Sequence, residues 1–460
     1  MPIREKVRTV SRNVAVAFFP LVIAAALPAL AQPIGGEFRV NTYTTGYHFS
    51  PDVAVSFSGD FVVVWQGVRS DDDYGVFGQR YGSAGTPLGG EFRINTRTTN
   101  DQNNPTVAVA GSGDFVVVFR NSFGSGMAGI SGQRYSSAGS VLGGEFSVSA
   151  FTSLSQSYPL ISSTPQGDFV VVWEVFAGSY PNTTTRILGR RFTSSGAALG
   201  GEFQVNTSTV EDQSVDGVSL DSSGGFVVVW SSFFGTSPNT YGHILGRRWA
   251  STGVPLGLPF RVNTYTTGAK TFTAVSVDSS GSFVVVWQSR NQGPDAVSIV
   301  GQRFASSGSP QGGEFVVGTS TAYLQAAPDV SSDSRGGFVV VWGQVQNQTD
   351  VLARRYASDG SPFEAAFRVN TYTTNSQDFP AVSTDSTGRF VVAYQSGTFG
   401  QVDIAAQRFC SPLLAVTIAV NGSSTVCPTG TGGTATVSDA YGGFTTHQWQ
   451  YRPTGGMSYT

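Results

Sequence analysis

The chain has 460 residues, a formal net charge of −3, 12% charged residues and 40% hydrophobic ones. Low charge without a basic run excludes an electrostatic nucleic-acid binder, and the apolar share excludes a disordered chain. With 57 glycines and no helical periodicity, the composition fits a packed β protein.

Residues 1–31 have the pattern of a secretory signal. Arg4, Lys6, Arg8 and Arg12 form a basic head, an apolar run extends from Val14 to Ala31, and Ala29-Leu30-Ala31 is a small-x-small cleavage site. The expected mature chain begins near Gln32 and is secreted or held at the cell surface. No later stretch approaches the roughly 20 apolar residues that span a bilayer.

Residues 35–410 are organised by one recurring stretch. Phe-Val-Val-Val-Trp occurs at Phe61–Trp65 and returns, with variation, at Phe115, Phe169, Phe226, Phe283, Phe338 and Phe390. Seven copies spaced 52 to 57 residues apart mark a repeat architecture. The stretch is apolar throughout and β-branched at its centre, which predicts a strand buried on both faces.

Around it the first unit reads as four strands. Pro51–Val55 comes first, then Phe61–Gln66, Val76–Tyr81 and Gly90–Asn95, with Ser58-Gly59-Asp60 and Ser83-Ala84-Gly85 as turns. Seven four-stranded antiparallel sheets predict an all-β, seven-bladed β-propeller. The last unit ends at Arg408-Phe409 without a fourth strand, while an orphan Gly36–Asn41 precedes the first. Residues 36–42 are therefore expected to complete the last blade and close the ring, since open sheet edges are aggregation templates. Arg80 and Glu91, on one hairpin, are expected to form a cross-strand ion pair.

The units Pro380–Tyr394 and Val218–Trp230 resemble those of secreted bacterial propellers of the TolB type, in which an inner strand and an Asp-Gly turn precede the second strand. The resemblance implies the architecture and little about function, because propellers host many activities.

A site is expected where the chain varies. Turns between first and second strands, and between third and fourth, are short and uniform. Loops between second and third strands differ in every unit and share one end of the ring with the interblade loops. Tyr74, Phe123, Tyr180, Phe234, Tyr241, Asn347 and Phe399 are the candidate ligand-binding residues there, because variable loops on a rigid scaffold usually carry binding. The alternative is solvated decoration. Gln102, Gln156, Gln213, Gln325 and Gln377, with His48 and Lys270 in two units, either line the channel rim or satisfy backbone groups of their own loops; the second reading is favoured.

No catalytic residues are assigned. His48, His243 and His447 are scattered, which supports neither a Ser-His-Asp triad nor a His-rich metal site. Asp71-Asp72-Asp73 lacks the alternating spacing and glycine of a calcium loop, so calcium is a remote alternative and no cofactor is expected.

Residues 411–460 change character. Leu414–Val420, Ala435–Val437 and Thr446–Tyr451 are strand-like. Ser-Ser-Thr-Val-Cys-Pro, followed by Gln448-Trp449-Gln450-Tyr451, resembles the start of bacterial Ig-like or PKD-type sandwich domains, which implies an incomplete β-sandwich and a chain that continues beyond Thr460. The only cysteines, Cys410 and Cys427, either pair with each other or leave Cys427 for a later partner.

The functional expectation is a monomeric, secreted or cell-surface, non-catalytic recognition module for carbohydrate or protein. Two alternatives stand beside it: a cell-surface scaffold without a specific ligand, and a polysaccharide-acting enzyme. Carboxylates converging at the channel mouth would favour the enzyme.

Overall fold

The computed structural model describes residues 31–410, apart from 69–73, 125, 151–153, 178–183, 209–211, 235–240, 294–295, 319–322 and 399–400, together with the backbone of four short strands at 416–419, 423–426, 449–452 and 456–459. The signal-like segment before Ala31 and Asp71–Asp73 lie outside the described residues.

Seven antiparallel sheets form a ring. Their inner strands are His48–Val55, Gln102–Val109, Ser155–Ser163, Asp212–Leu220, Lys270–Val277, Leu324–Ser332 and Ser376–Thr384. Each lies against the inner strand of the next blade, and the seventh lies against the first. Blades are numbered one to seven in that order.

The second strands explain why the repeated stretch does not alternate. In blade one, Phe61, Val63 and Trp65 enter a core with Val391, Ala393 and Ile404 of blade seven. Val62 and Val64, on the opposite face, enter a core with Val117 and Phe119 of blade two. Both faces of a blade are covered by neighbours, so no position on this strand favours a polar side chain.

Three regularly spaced landmarks converge at each blade junction. Phe61 stacks on Tyr81 at 4.8 Å and 11°, and Phe38 of the closing strand packs on Tyr81 at 5.2 Å. Phe115 and Tyr135 repeat the stack at 4.8 Å, with Phe92 of blade one 5.3 Å from Tyr135. Tilted and offset aromatic pairs of this kind contribute about 0.5–1.5 kcal/mol each beyond their area burial.

The ring closes as the orphan strand requires. Phe38 and Arg39 pair with Ala406 and Ala405, and Val40 N donates to Ile404 O at 2.7 Å. Ile404 N donates in turn to Asn41 Oδ1 at 2.7 Å. Gln32 and Pro33 add a second short pairing, opposite Cys410 and Phe409.

The Arg80–Glu91 ion pair is not how these side chains are used. Glu91 Oε2 accepts from Thr42 N at 2.7 Å and Thr42 Oγ1 at 2.8 Å, in the loop entering its blade. Arg80 donates to Ala138 O at 2.7 Å and Ser137 O at 2.6 Å, in a turn of the next blade. The two side chains serve opposite neighbours because each reaches a row of backbone groups that the ring brings alongside. Blade six differs at the seam. Its Arg355 Nε lies 2.6 Å from Glu364 Oε1, and Glu364 Oε2 accepts from Ala31 N at 2.8 Å.

Two further expectations shift. The inner strand of blade one starts at His48, three residues before Pro51, because the ladder continues across a bulge between Phe49 and Asp52. The outer strand is only Phe92–Arg93 in ladder terms, shorter than Gly90–Asn95. In the tail, Val416–Ala419 pairs with Ser423–Val426, and Trp449–Arg452 pairs with Gly456–Tyr459. Ala435–Val437 lies outside the described residues. Cys410 is disulfide-bonded, and Cys427 lies outside the described residues.

Candidate functional site

Each inner strand enters from an interblade loop at the variable-loop end and leaves through a uniform turn at the other. Near its entry, six of the seven carry a non-glycine residue at left-handed φ: Ser50 (49°), Asn104 (50°), Tyr158 (52°), Phe272 (51°), Ala327 (48°) and Phe379 (49°). All six sit at the bulge, where the ladder skips and a side chain leaves the face of the sheet. Left-handed φ costs a bulky residue about 1–2 kcal/mol.

Three of these positions hold large aromatic rings. Tyr158, Phe272 and Phe379 are 51%, 51% and 49% exposed. Neighbouring blades pack against these inner strands, and the three rings nonetheless stay half in solvent. The rings belong to blades three, five and seven and stand at equivalent positions near the variable-loop mouth. Strained aromatic residues held half in solvent are a mark of a binding surface more than of a core.

Buried carboxyls stand on the inner and second strands. Asp52 accepts from Val53 N at 2.9 Å and, across the blade boundary, from Val107 N at 2.8 Å. Asp329 does the same with Val330 N at 2.8 Å and Val382 N at 2.7 Å. Burial pushes Asp52 up to about 7 and Asp329 up to about 6, against the pull of these amides, and Asp329 adds charge repulsion at Asp52. Between blades three and four, burial likewise raises Glu174 and Asp216 to about 7. Glu174 Oε1 accepts from Ser214 Oγ and Val215 N, both at 2.8 Å, and Asp216 accepts from Ser231 Oγ at 2.5 Å.

Asp378, next to Phe379, differs. Its pKa is raised by burial alone, with no opposing hydrogen bond. It is partly exposed and lies opposite Gln395 in the ladder.

The Gln positions are not a channel lining. Gln102, Gln156, Gln325 and Gln377 are fully buried. Gln102 Oε1 accepts from Asn95 Nδ2 at 2.9 Å and its amide donates to Thr99 O at 3.1 Å, as the structural reading expects. Lys270, at the same position, is buried with Nζ on Thr267 O and Gly268 O, and burial lowers its amine to about 8.

The loop candidates are only partly brought together. Tyr74 is partly buried, with its backbone bonded to Asp101 and Gln102. Phe123 is 38% exposed, with the Arg97 guanidinium 5.4 Å over its ring. Asn347 is exposed in the turn from Gln346 to Gln348. The backbones of Phe234 and Tyr241 form the last pair of a hairpin ladder. Tyr180 and Phe399 lie outside the described residues. These residues belong to separate blades, as do the inner-strand aromatics, which however stand at equivalent positions of their strands. The signal for the latter was in the sequence: a bulky aromatic directly before the inner-strand Pro, or its replacement Thr273, at Tyr158, Phe272 and Phe379. His48 Nδ1 shares a hydrogen bond with Val402 O across the seam at 2.9 Å. Among the described residues no group of His, Cys, Asp and Glu has the arrangement of a metal site.

No family model and no curated protein matches the chain. Solved structures match it at low identity. A protein of unknown function from Dyadobacter fermentans is 12% identical over 82% of this chain and 98% of its own, with a TM-score of 0.49. An ulvan lyase of polysaccharide lyase family PL25, bound to -[GlcA(1-4)Rha3S]-, is 11% identical over 81% and 95%, with a TM-score of 0.49. An α-L-arabinanase of Penicillium chrysogenum, with arabinobiose, is 11% identical over 81% and 98%, with a TM-score of 0.45. At these identities the likeness is one of fold. It nonetheless corrects the expectation of a chain that is not an enzyme. Several of the matched structures are named as enzymes acting on glycans, glycoside hydrolases and a sialidase among them.

Proposed function

We propose that this is an exported carbohydrate-recognition propeller whose ligand enters the channel at the variable-loop end and stacks on Tyr158, Phe272 and Phe379. The observation that carries the reading is the set of three half-exposed aromatic rings held at left-handed φ on innermost strands. Sugar rings present apolar C–H faces and a rim of hydroxyls. Aromatic walls with a few placed polar groups suit both. The variable loops around the mouth, including Phe123 and Asn347, extend the surface available to a longer chain.

The test is a glycan panel with the full chain, scored for binding, beside Phe272→Ala and Phe379→Ala. Binding that falls at least tenfold in both variants, with unchanged melting temperature, supports the reading. Equal binding in the variants moves the site away from the channel. A parallel measurement with EDTA reads out calcium dependence at Asp71–Asp73.

A second reading, cleavage of the bound glycan, is favoured by the carboxyls. Burial shifts the carboxyl of Asp378, next to Phe379 in sequence, upward with no opposing hydrogen bond, the direction a general acid needs. Release of new reducing or unsaturated ends, lost in Asp378→Asn, is the expected outcome. Binding without turnover removes this reading and leaves the first intact.

A further inference from the structure

In four blades the residue that follows the repeated second-strand stretch reaches into the next blade. Gln66 Oε1 of blade one accepts from Asn104 N of blade two at 2.7 Å. Arg120 Nε of blade two donates to Gln156 O of blade three at 3.2 Å. Glu174 Oε1 of blade three accepts from Ser214 Oγ and Val215 N of blade four, both at 2.8 Å. Ser231 Oγ of blade four shares a hydrogen bond with Thr273 Oγ1 of blade five at 3.5 Å. The same position holds Gln288 and Gln395 in blades five and seven. In blade six it holds Gly343, which has no side chain to offer blade seven.

The backbone does not demand that glycine. Gly343 is paired with Ala326 and Val351 in the strand Phe338–Val345, and its φ is not left-handed. The nearest atoms to a Cβ built on it are Thr349 Cγ2 at 3.1 Å and Ala326 O at 3.6 Å, both of blade six. No described atom of blade seven lies within 4 Å of that point, so the place of the missing side chain is a notch at the junction.

The residues of blade seven equivalent to Ser214 and Val215 are Asp378 and Phe379. Phe379 also holds the backbone of Asn104: both stand at the bulge, with φ of 49° and 50°. The amide that Gln66 and Glu174 serve in their junctions thus meets no side-chain acceptor from Gly343, and the ring of the same residue is half exposed. The exchange of Ser214 for Asp378 specifies the guest. Asp378 makes no side-chain hydrogen bond or ion pair among the described residues. An oxygen placed where Glu174 Oε1 sits in its junction must accept from the amide and donate to the carboxyl. A hydroxyl does both, whereas a carboxylate has no proton to give and an ammonium no lone pair to accept with.

We propose, on the carbohydrate-recognition reading above, that the notch at Gly343 is a subsite for a hydroxyl of a neutral sugar, held between Phe379 N and the Asp378 carboxyl while the sugar lies against the Phe379 ring.

The test is titration calorimetry on the full chain with cellotetraose, maltotetraose and mannotetraose as neutral probes and tetragalacturonate as the acidic one. Gly343→Gln puts the side chain of blade one into the notch. Asp378→Ala removes the acceptor without adding volume, so a fold defect in the first variant leaves the second to decide. Binding of at least one neutral probe, weakened about tenfold in each folded variant, is expected, the scale of a hydroxyl losing its hydrogen bonds in a partly buried site. The melting temperature of Asp378→Ala should not fall, because the carboxyl it loses has no partner to leave behind. Neutral-probe binding that persists in Asp378→Ala, or in a folded Gly343→Gln, overturns the subsite; the same binding lost in Phe272→Ala then leaves carbohydrate recognition standing. Tighter binding of the galacturonate than of every neutral probe overturns the hydroxyl assignment. Binding of none of the four overturns the subsite and the recognition reading together.

Discussion

Replacing Asn206 tests how the outer strands are locked to the ring. Asn206 is buried; its Oδ1 accepts from Ile187 N at 2.9 Å. Its Nδ2 donates to Thr185 O, Ser208 O and Gln213 Oε1, at 3.0, 2.9 and 3.0 Å. Asn206→Ala strands the buried Ile187 N–H and removes three more bonds. At roughly 1–3 kcal/mol for the stranded donor and somewhat less for the others, the cost is about 3–4 kcal/mol. Blade five shows a natural alternative. Gly318 stands where Asn is expected, and Gln325 Oε1 reaches in to accept from Ile299 N at 3.1 Å. A Cβ on residue 318 would lie 2.2 Å from that oxygen, so only glycine admits it. Asn206→Gly should therefore let Gln213 take the Ile187 N–H. It should be about 1–2 kcal/mol less damaging than Asn206→Ala, against the usual order, in which glycine in a strand costs about 0.5–1 kcal/mol more than alanine. Adding Gln213→Ala should remove the rescue. Chemical denaturation of the variants measures this. A glycine variant as unstable as the alanine variant, or a double variant no worse than the glycine one, refutes the reasoning.

Three further outcomes are expected. Phe272→Gly should hold or raise stability by about 1 kcal/mol, because it relieves a left-handed φ of 51° and deletes an exposed ring, while glycan binding falls; a loss of stability in thermal melts would make that ring structural. Deleting residues 33–42 should lower the melting temperature of the whole ring, since the ladder to residues 404–409 and the Asn41–Ile404 bond are lost at about 1 kcal/mol each, and an unchanged melt contradicts the seam. Stability should fall as pH rises from about 4 to about 7. Asp52, Asp216 and Glu174, raised to about 7, and Asp329, raised to about 6, bind protons more tightly folded than unfolded, so their contribution is full below the unfolded carboxyl range and is lost as pH climbs through the folded values. Asp52→Asn should flatten that slope, and melts across pH 4–8 with identical slopes would contradict the burial of this carboxyl.

The sequence by itself determined the blade count, the buried second strand and the seam. Those follow from period and patterning: an apolar run with no alternation demands cover on both faces, and an orphan strand at one end matches a missing strand at the other. Phe38, Phe61 and Tyr81 kept a common spacing in every unit, yet nothing local says that they meet in one interblade stack. Only the ring decides that, because the third partner comes from the preceding blade. The same reason defeated the Arg80–Glu91 pairing, which was argued within one hairpin while both side chains bind adjoining blades. The exposed aromatics were written in the chain as Tyr158, Phe272 and Phe379, but their exposure depends on a bulge that turns them off the sheet. Local periodicity fixes what a strand must bury, and only closure of the ring decides which side chains are left facing the axis.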